Sequence, residues 1–193
     1  MNNIKPIETA YNNYLFRSRL EARWAVFFDA LGIRYEYEAE GYDLQPLPEI
    51  ETYLGDMTTD KKFGALWYLP DFYLPNLDIF VEIKGQEPTY KDIAKIDRLG
   101  YWSKKKVALF GNIPRVTVGG IEYQDDYSGT IHCMYWDCCY YFCECPTCGK
   151  IGFQFEGRAD RLSCKCEKHG DRGHNTNSPR LIVAYQKASM ARF

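Results

Sequence analysis

Absences set the first bounds. No apolar run is long enough to span a bilayer, and Met1 to Pro6 lack the apolar segment of a secretory signal, so a cytoplasmic protein with no membrane partner is expected. Cysteine is absent before Cys133, and no internal repeat or low-complexity tract interrupts the chain. Strong positive charge is absent too: the formal net charge of −2 argues against a basic, nonspecific nucleic-acid binder. That charge is unevenly spread. From Tyr140 to Phe193 nine Lys or Arg stand against five Asp or Glu, a balance of +4 that leaves −6 before it. The basic end is the better candidate for touching phosphate.

With 193 residues, 46% of them hydrophobic, the chain can build one domain of ordinary size with a small appendage. The expected division is a core over residues 1–115, then residues 116–193 as a sheet extension, a cysteine-rich module and a C-terminal helix. Leu20, Trp24, Phe27, Phe28 and Leu31 recur at helical spacing, which predicts a helix over Arg17–Leu31 with Ser18 as cap and Gly32 as stop. Alternation predicts a half-buried strand over Ile33–Glu38. Residues 44–64 read as an irregular insertion. Ala65–Leu74 and Leu77–Lys84 read as two strands joined by the Pro75-Asn76 turn, Thr89–Tyr101 as a second helix, and Lys106–Phe110 as a strand. Ile131–Trp136 is a candidate extension of the sheet, and Arg180–Phe193 reads as a terminal helix or strand-helix.

Within that frame, Leu69-Pro70-Asp71 is followed by Val81-Glu82-Ile83-Lys84-Gly85. Leu77 to Ile83 is apolar as in a buried strand, so Glu82 and Lys84 place charges there that packing does not request. Strand period two puts both on one face, and Pro70-Asp71 can deliver a second carboxylate beside them. Mg²⁺ favours such oxygen ligands, and a nearby lysine orients the attacking water or offsets developing charge.

The spacing resembles the signature of the PD-(D/E)XK nuclease superfamily, with Pro70-Asp71 as its first half and Glu82-Ile83-Lys84 as its second; the resemblance covers Phe16 to Phe110. An acid on a preceding helix often joins the site in that superfamily, and Glu21 matches it. Ser18 with Glu21 also forms a capping-box pattern, which accounts for this acid without catalysis. The resemblance implies an α/β fold, a restriction-endonuclease-like mixed sheet flanked by helices with an αβββαβ core. It implies Glu21, Asp71, Glu82 and Lys84 as catalytic residues, with Mg²⁺ or Mn²⁺ held by Asp71, Glu82 and the carbonyl of Ile83. Gln86 and Tyr90 are candidates for contact with the scissile strand. Lys91, Lys95 and Lys104-Lys105-Lys106 read first as solvated faces and second as phosphate contacts.

All eight cysteines fall between Cys133 and Cys166. Cys145-Pro146-Thr147-Cys148-Gly149-Lys150 has the C-x-x-C-G form of a zinc knuckle, and Cys164-Lys165-Cys166 supplies the second pair of a structural Zn²⁺ ribbon. His169 or Cys143 can stand in for one ligand. Cys133, Cys138 and Cys139 read as buried thiols. Tyr140, Tyr141, Phe142, Phe153 and Phe155 suit base stacking, although alternating aromatics more often form core.

The expectation is a Mg²⁺-dependent DNA endonuclease whose zinc ribbon positions the substrate. Its rival is a non-cleaving nucleic-acid-binding, inhibitory or adaptor protein on the same scaffold. The motif separates neither DNA from RNA nor a monomer from a homodimer.

Overall fold

A computed structural model describes residues 6–47, 63–122, 130–133, 136–155, 166 and 176–193. It opens on a hairpin that sequence reading passed over, β1 (Thr9–Tyr11) and β2 (Tyr14–Phe16), with Asn12 and Asn13 at φ 46° and 65° in the turn. Positive φ at both central residues matches the twist of the flanking strands, and asparagine tolerates it. Helix α1 (Arg19–Leu31) starts two residues later than expected because Ser18 is its N-cap. Gly32, at φ 69°, closes it in the left-handed conformation.

The expected strand over Ile33–Glu38 contracts to β3 (Glu36–Tyr37), since Glu38 turns the chain away at φ 45°. β4 (Tyr42–Leu44) pairs with β5 (Leu66–Tyr68) as a separate hairpin; of the expected insertion between them, residues 48–62 lie outside the described residues. The single strand expected over Ala65–Leu74 is therefore two, β5 and β6 (Phe72–Leu74), broken at Pro70, which has no N–H to give a ladder. β7 (Ile79–Ile83) runs antiparallel to β6. Helix α2 (Tyr90–Ser103) then crosses to β8 (Lys106–Phe110), parallel to β7. The helix passes through Gly100, where a Cβ would meet the Lys105 carbonyl at 3.4 Å, so its C-terminal turn packs close to the approach to β8.

A small hairpin follows, β9 (Arg115–Thr117) with β10 (Gly120–Glu122). β11 (Thr130–Cys133) does extend the sheet beyond β8, and β12 (Trp136–Glu144) and β13 (Ile151–Phe155) continue it. Helix α3 (Pro179–Met190) ends the architecture. Among the described residues the result is a mixed α/β protein with three helices and a seven-stranded sheet, ordered β13-β12-β11-β8-β7-β6-β3, whose one parallel pair is β7 with β8. No described helix is long and apolar enough to cross a membrane.

β7 is buried on both faces, so it reads as an apolar run broken only by Glu82. Ile79, Val81 and Ile83 point into the core shared with α1 and α3, where Trp24 stacks on Phe110 at 4.7 Å and its indole N–H donates to the Gly111 carbonyl at 2.9 Å. Phe80 points the other way, into a second core formed by Leu44, Tyr68, Ile96, Leu99, Val107 and Leu109 under α2. Glu82 follows Phe80 by two residues and so belongs to the α2 face. Fully buried Arg98 ties α2 to the β4–β5 hairpin, donating to the carbonyls of Gly64 (2.6 Å), Phe63 (2.8 Å) and Leu44 (3.3 Å).

Candidate active site and cysteine cluster

β6 and β7 deliver the two halves of the motif. Their register pairs Phe72 with Val81; one step further, Asp71 stands opposite Glu82. Both carboxylates are buried, at 8% and 6% exposure. Asp71 Oδ2 accepts the Ile83 N–H at 2.7 Å, a bond that turns its side chain across the end of the strand pair. Burial, and after it the charges of Glu82 and Glu21, push the Asp71 carboxyl well above its usual range; the Ile83 N–H and Lys84 oppose this without cancelling it.

Glu82 is held at both oxygens. Oε2 accepts the Tyr68 hydroxyl at 2.6 Å, and Oε1 lies 2.9 Å from the Lys84 ammonium. Burial and then Glu82 raise the Tyr68 pKa, which keeps its hydroxyl a donor. Lys84 sits on the Glu82 side as the period-two reading requires, and its Nζ also meets Asp92 Oδ1 at 3.0 Å. Burial works against its charge, but Glu82 and Asp92 outweigh it and the pKa is raised.

Glu21 is first of all a cap. Its N–H donates to Ser18 Oγ at 3.2 Å, its Oε1 accepts the Ser18 hydroxyl at 2.6 Å, and its Oε2 accepts the Tyr37 hydroxyl at 2.6 Å and the Arg17 N–H at 3.2 Å. Its charge nevertheless adds to the upward push on the Asp71 carboxyl. Beside it is an acid that sequence reading missed. Glu38 donates its N–H to the Asp71 carbonyl at 3.0 Å and pairs with Arg17 Nε at 2.6 Å. Its positive φ was not readable from an alternating strand pattern. Tyr68 is hidden in the sequence because its strand ends before Pro70 and its apolar run does not, and Asp92 is signalled only as a cap by the Thr89-x-x-Asp92 spacing.

Gln86 and Tyr90 lie exposed on the loop and first turn after Lys84. Lys91 is exposed, Lys95 has its Nζ 5.5 Å from the centre of the Tyr68 ring, and Lys105 is paired with Asp78. Phe142 is core rather than a stacking platform, 2% exposed and packed against Phe27 and Phe110.

The second site lies at the β12–β13 turn. Cys145, Cys148 and Cys166 bring their sulfurs within 4.8 Å of one another, a grouping that can hold a metal ion. The turn is closed by Gly149 N–H to the Cys145 carbonyl and Cys145 N–H to the Lys150 carbonyl, each at 2.9 Å, with Gly149 at φ 68°. Arg180 on α3 holds it from outside, its Nη1 donating to the Gly149 carbonyl at 2.7 Å and to Glu144 at 2.8 Å. Crowding by Cys148, then burial and Cys145, pushes the Cys166 thiol up to about 12, because thiols this close ionise together only around a cation. Cys143 is buried beside the turn. Cys164 and His169 lie outside the described residues, as do the side chains of Cys133, Cys138 and Cys139.

Among the described residues only this cysteine set gathers three metal-ligating side chains so closely; Glu21, Asp71 and Glu82 are more widely spaced. Asp71 and Glu82 are hard oxygen donors whose crowding a divalent cation relieves, whereas the sulfur set suits a softer ion. No protein-family model, curated protein or solved structure matches this chain.

Proposed function

We propose that the chain is a Mg²⁺- or Mn²⁺-dependent nuclease that hydrolyses phosphodiester bonds in DNA on a restriction-endonuclease-like core, with a structural zinc site in its C-terminal part. The observation that carries the reading is the buried Asp71–Glu82 pair on neighbouring strands with the Lys84 ammonium on the same side. A structural role alone does not call for two facing carboxylates at a strand end, since each adds a desolvation cost and they repel.

Asp71, Glu82 and the Ile83 carbonyl would hold the ion, which supplies an activated water and offsets charge on the phosphate. Lys84 stays charged and sets its ammonium where negative charge develops. Tyr68 fixes the carboxylate plane of Glu82, and Glu21 steers from the start of α1. Gln86, Tyr90 and Lys91, exposed on the loop and first helical turn after Lys84, would be free to contact the strand backbone. Cys145, Cys148 and Cys166, with Cys164 as fourth thiolate, suit tetrahedral Zn²⁺.

The test is direct. Purified protein is incubated with labelled duplex, single-stranded, nicked and branched DNA and with RNA, with Mg²⁺, Mn²⁺ or chelator, and its zinc content is measured. Metal-dependent cleavage lost in Asp71→Ala and Lys84→Ala is expected. Unchanged cleavage in either variant refutes the assigned site. Binding without turnover on any substrate favours a non-cleaving scaffold.

A further inference from the structure

The nuclease reading leaves open what keeps Lys84 in place, because Glu82 alone would let the ammonium swing with the rest of its flexible stem. We infer that Asp92 is a positioning residue for Lys84, fixing the ammonium through a carboxylate that the start of α2 itself holds rigid; the inference rests on the nuclease reading for its consequence and on geometry for its cause.

Asp92 divides its two oxygens. Oδ2 accepts the Thr89 N–H at 2.9 Å and the Thr89 hydroxyl at 2.6 Å, while Thr89 Oγ1 accepts the Asp92 N–H at 3.2 Å, a complete capping box. Oδ1 is left to face Lys84 Nζ at 3.0 Å. A box of this kind is satisfied without any lysine, so the second contact adds something the helix end does not need. The Lys84 N–H donates to the Phe110 carbonyl at 2.8 Å, which anchors the other end of the same side chain to β8. Backbone and ammonium are thus both tethered, and the loop from Gly85 to Pro88 between them cannot carry the lysine away without breaking the start of α2.

Groups that orient metal ligands commonly cost roughly 10- to 100-fold in activity when removed, and a loss of that size is expected for a group that orients the lysine beside the ion. Asp92→Asn keeps an oxygen for Thr89 and removes only the charge facing Lys84. The expected result is a fall in kcat in that range, KM for DNA nearly unchanged, and a melting temperature close to that of the wild type. Thr89→Ala removes the hydroxyl bonds of the cap but keeps the backbone N–H to Oδ2 and the charge facing Lys84: it lowers the melting temperature and lowers kcat by much less than Asp92→Asn does. Asp92→Glu, which also fits a capping box, restores kcat in part. Equal losses of kcat in Asp92→Asn and Thr89→Ala, in step with stability, would reduce Asp92 to a cap and overturn the inference, as would wild-type kcat in Asp92→Asn.

A second measurement separates this from failure of the nuclease reading. In ¹⁵N-lysine-labelled protein a held ammonium gives a slowly exchanging signal, assigned by its loss in Lys84→Met. That signal is expected in the wild type and exchanges markedly faster in Asp92→Asn, where Glu82 still faces the ammonium, whether or not the protein cuts DNA. Unchanged exchange in Asp92→Asn overturns the inference; absence of cleavage by the wild type on every substrate overturns only the nuclease reading.

Discussion

Replacing Asp71 by asparagine should stabilise the protein when no divalent cation is present and leave it the less stable form when one is. Opposed residues on antiparallel strands have Cβ atoms about 5 Å apart, so two carboxylates there lie on the order of 6 Å apart. At an effective dielectric of about 20 they repel by roughly 3 kcal/mol, and Lys84 beside Glu82 offsets about half of that. The asparagine oxygen can still accept the Ile83 N–H. A net gain of about 1–2 kcal/mol follows, or roughly 3–6 °C in melting temperature for a chain of this size. The sign with pH is fixed by the direction of the shift. Because the folded-state pKa of Asp71 is raised, its favourable contribution is present in full below the ordinary carboxylate range and is lost as pH rises through the raised value. The two proteins should melt together in acid and diverge upward in pH. Saturating Mn²⁺ reverses the order, since an ion at 100 times its dissociation constant adds about 2.7 kcal/mol to the form that binds it. Calorimetry or fluorimetry of both proteins across pH, with chelator and with Mn²⁺, reads all of this. An Asp71→Asn variant that melts lower than wild type in chelator at neutral pH, or that gains as much from Mn²⁺, would refute the reasoning.

Other expectations are more local. Arg98→Leu leaves the carbonyls of Leu44, Phe63 and Gly64 without their buried donor and should cost about 3–5 kcal/mol by chemical denaturation. Gly32→Ala forces a Cβ into left-handed backbone at φ 69° and should cost about 1 kcal/mol with no change in cleavage. Cys148→Ser should take bound zinc, measured by atomic emission, from about one per chain to far less, with a lowered melting temperature.

The parts of this fold legible in the sequence are those where one physical rule acts alone. Ser18 and Gly32 punctuate α1, helical spacing marks its buried face, and β7 and β8 read as apolar runs of strand length. The motif was legible because charge inside such a run has no packing reason. What escaped depended on tertiary partners. Asn12-Asn13 signals a turn only once the short flanking strands are known to pair, and Arg98 looks like any helix arginine until the hairpin arrives above it. Glu38 joins the acids through a backbone conformation that its residue type disfavours, and Tyr68 through a strand break at Pro70. At the cysteine turn, spacing named Cys145, Cys148 and Cys166 alike, and the fold supplies the return of the chain that brings Cys166 to the other two.

The strand arrangement also carries a kinetic consequence. Asp71 and Glu82 are brought face to face by a hairpin between adjacent strands, a local event that forms early. The carboxylate that completes the setting of Lys84 arrives only when α2 docks and β7 finds its parallel neighbour, a non-local event. The repulsion is met while the Lys84 ammonium, its only local offset, is not yet fixed by Asp92. Folding is therefore slowed by the same pair that binds the ion, and Asp71→Asn should quicken folding more than it slows unfolding.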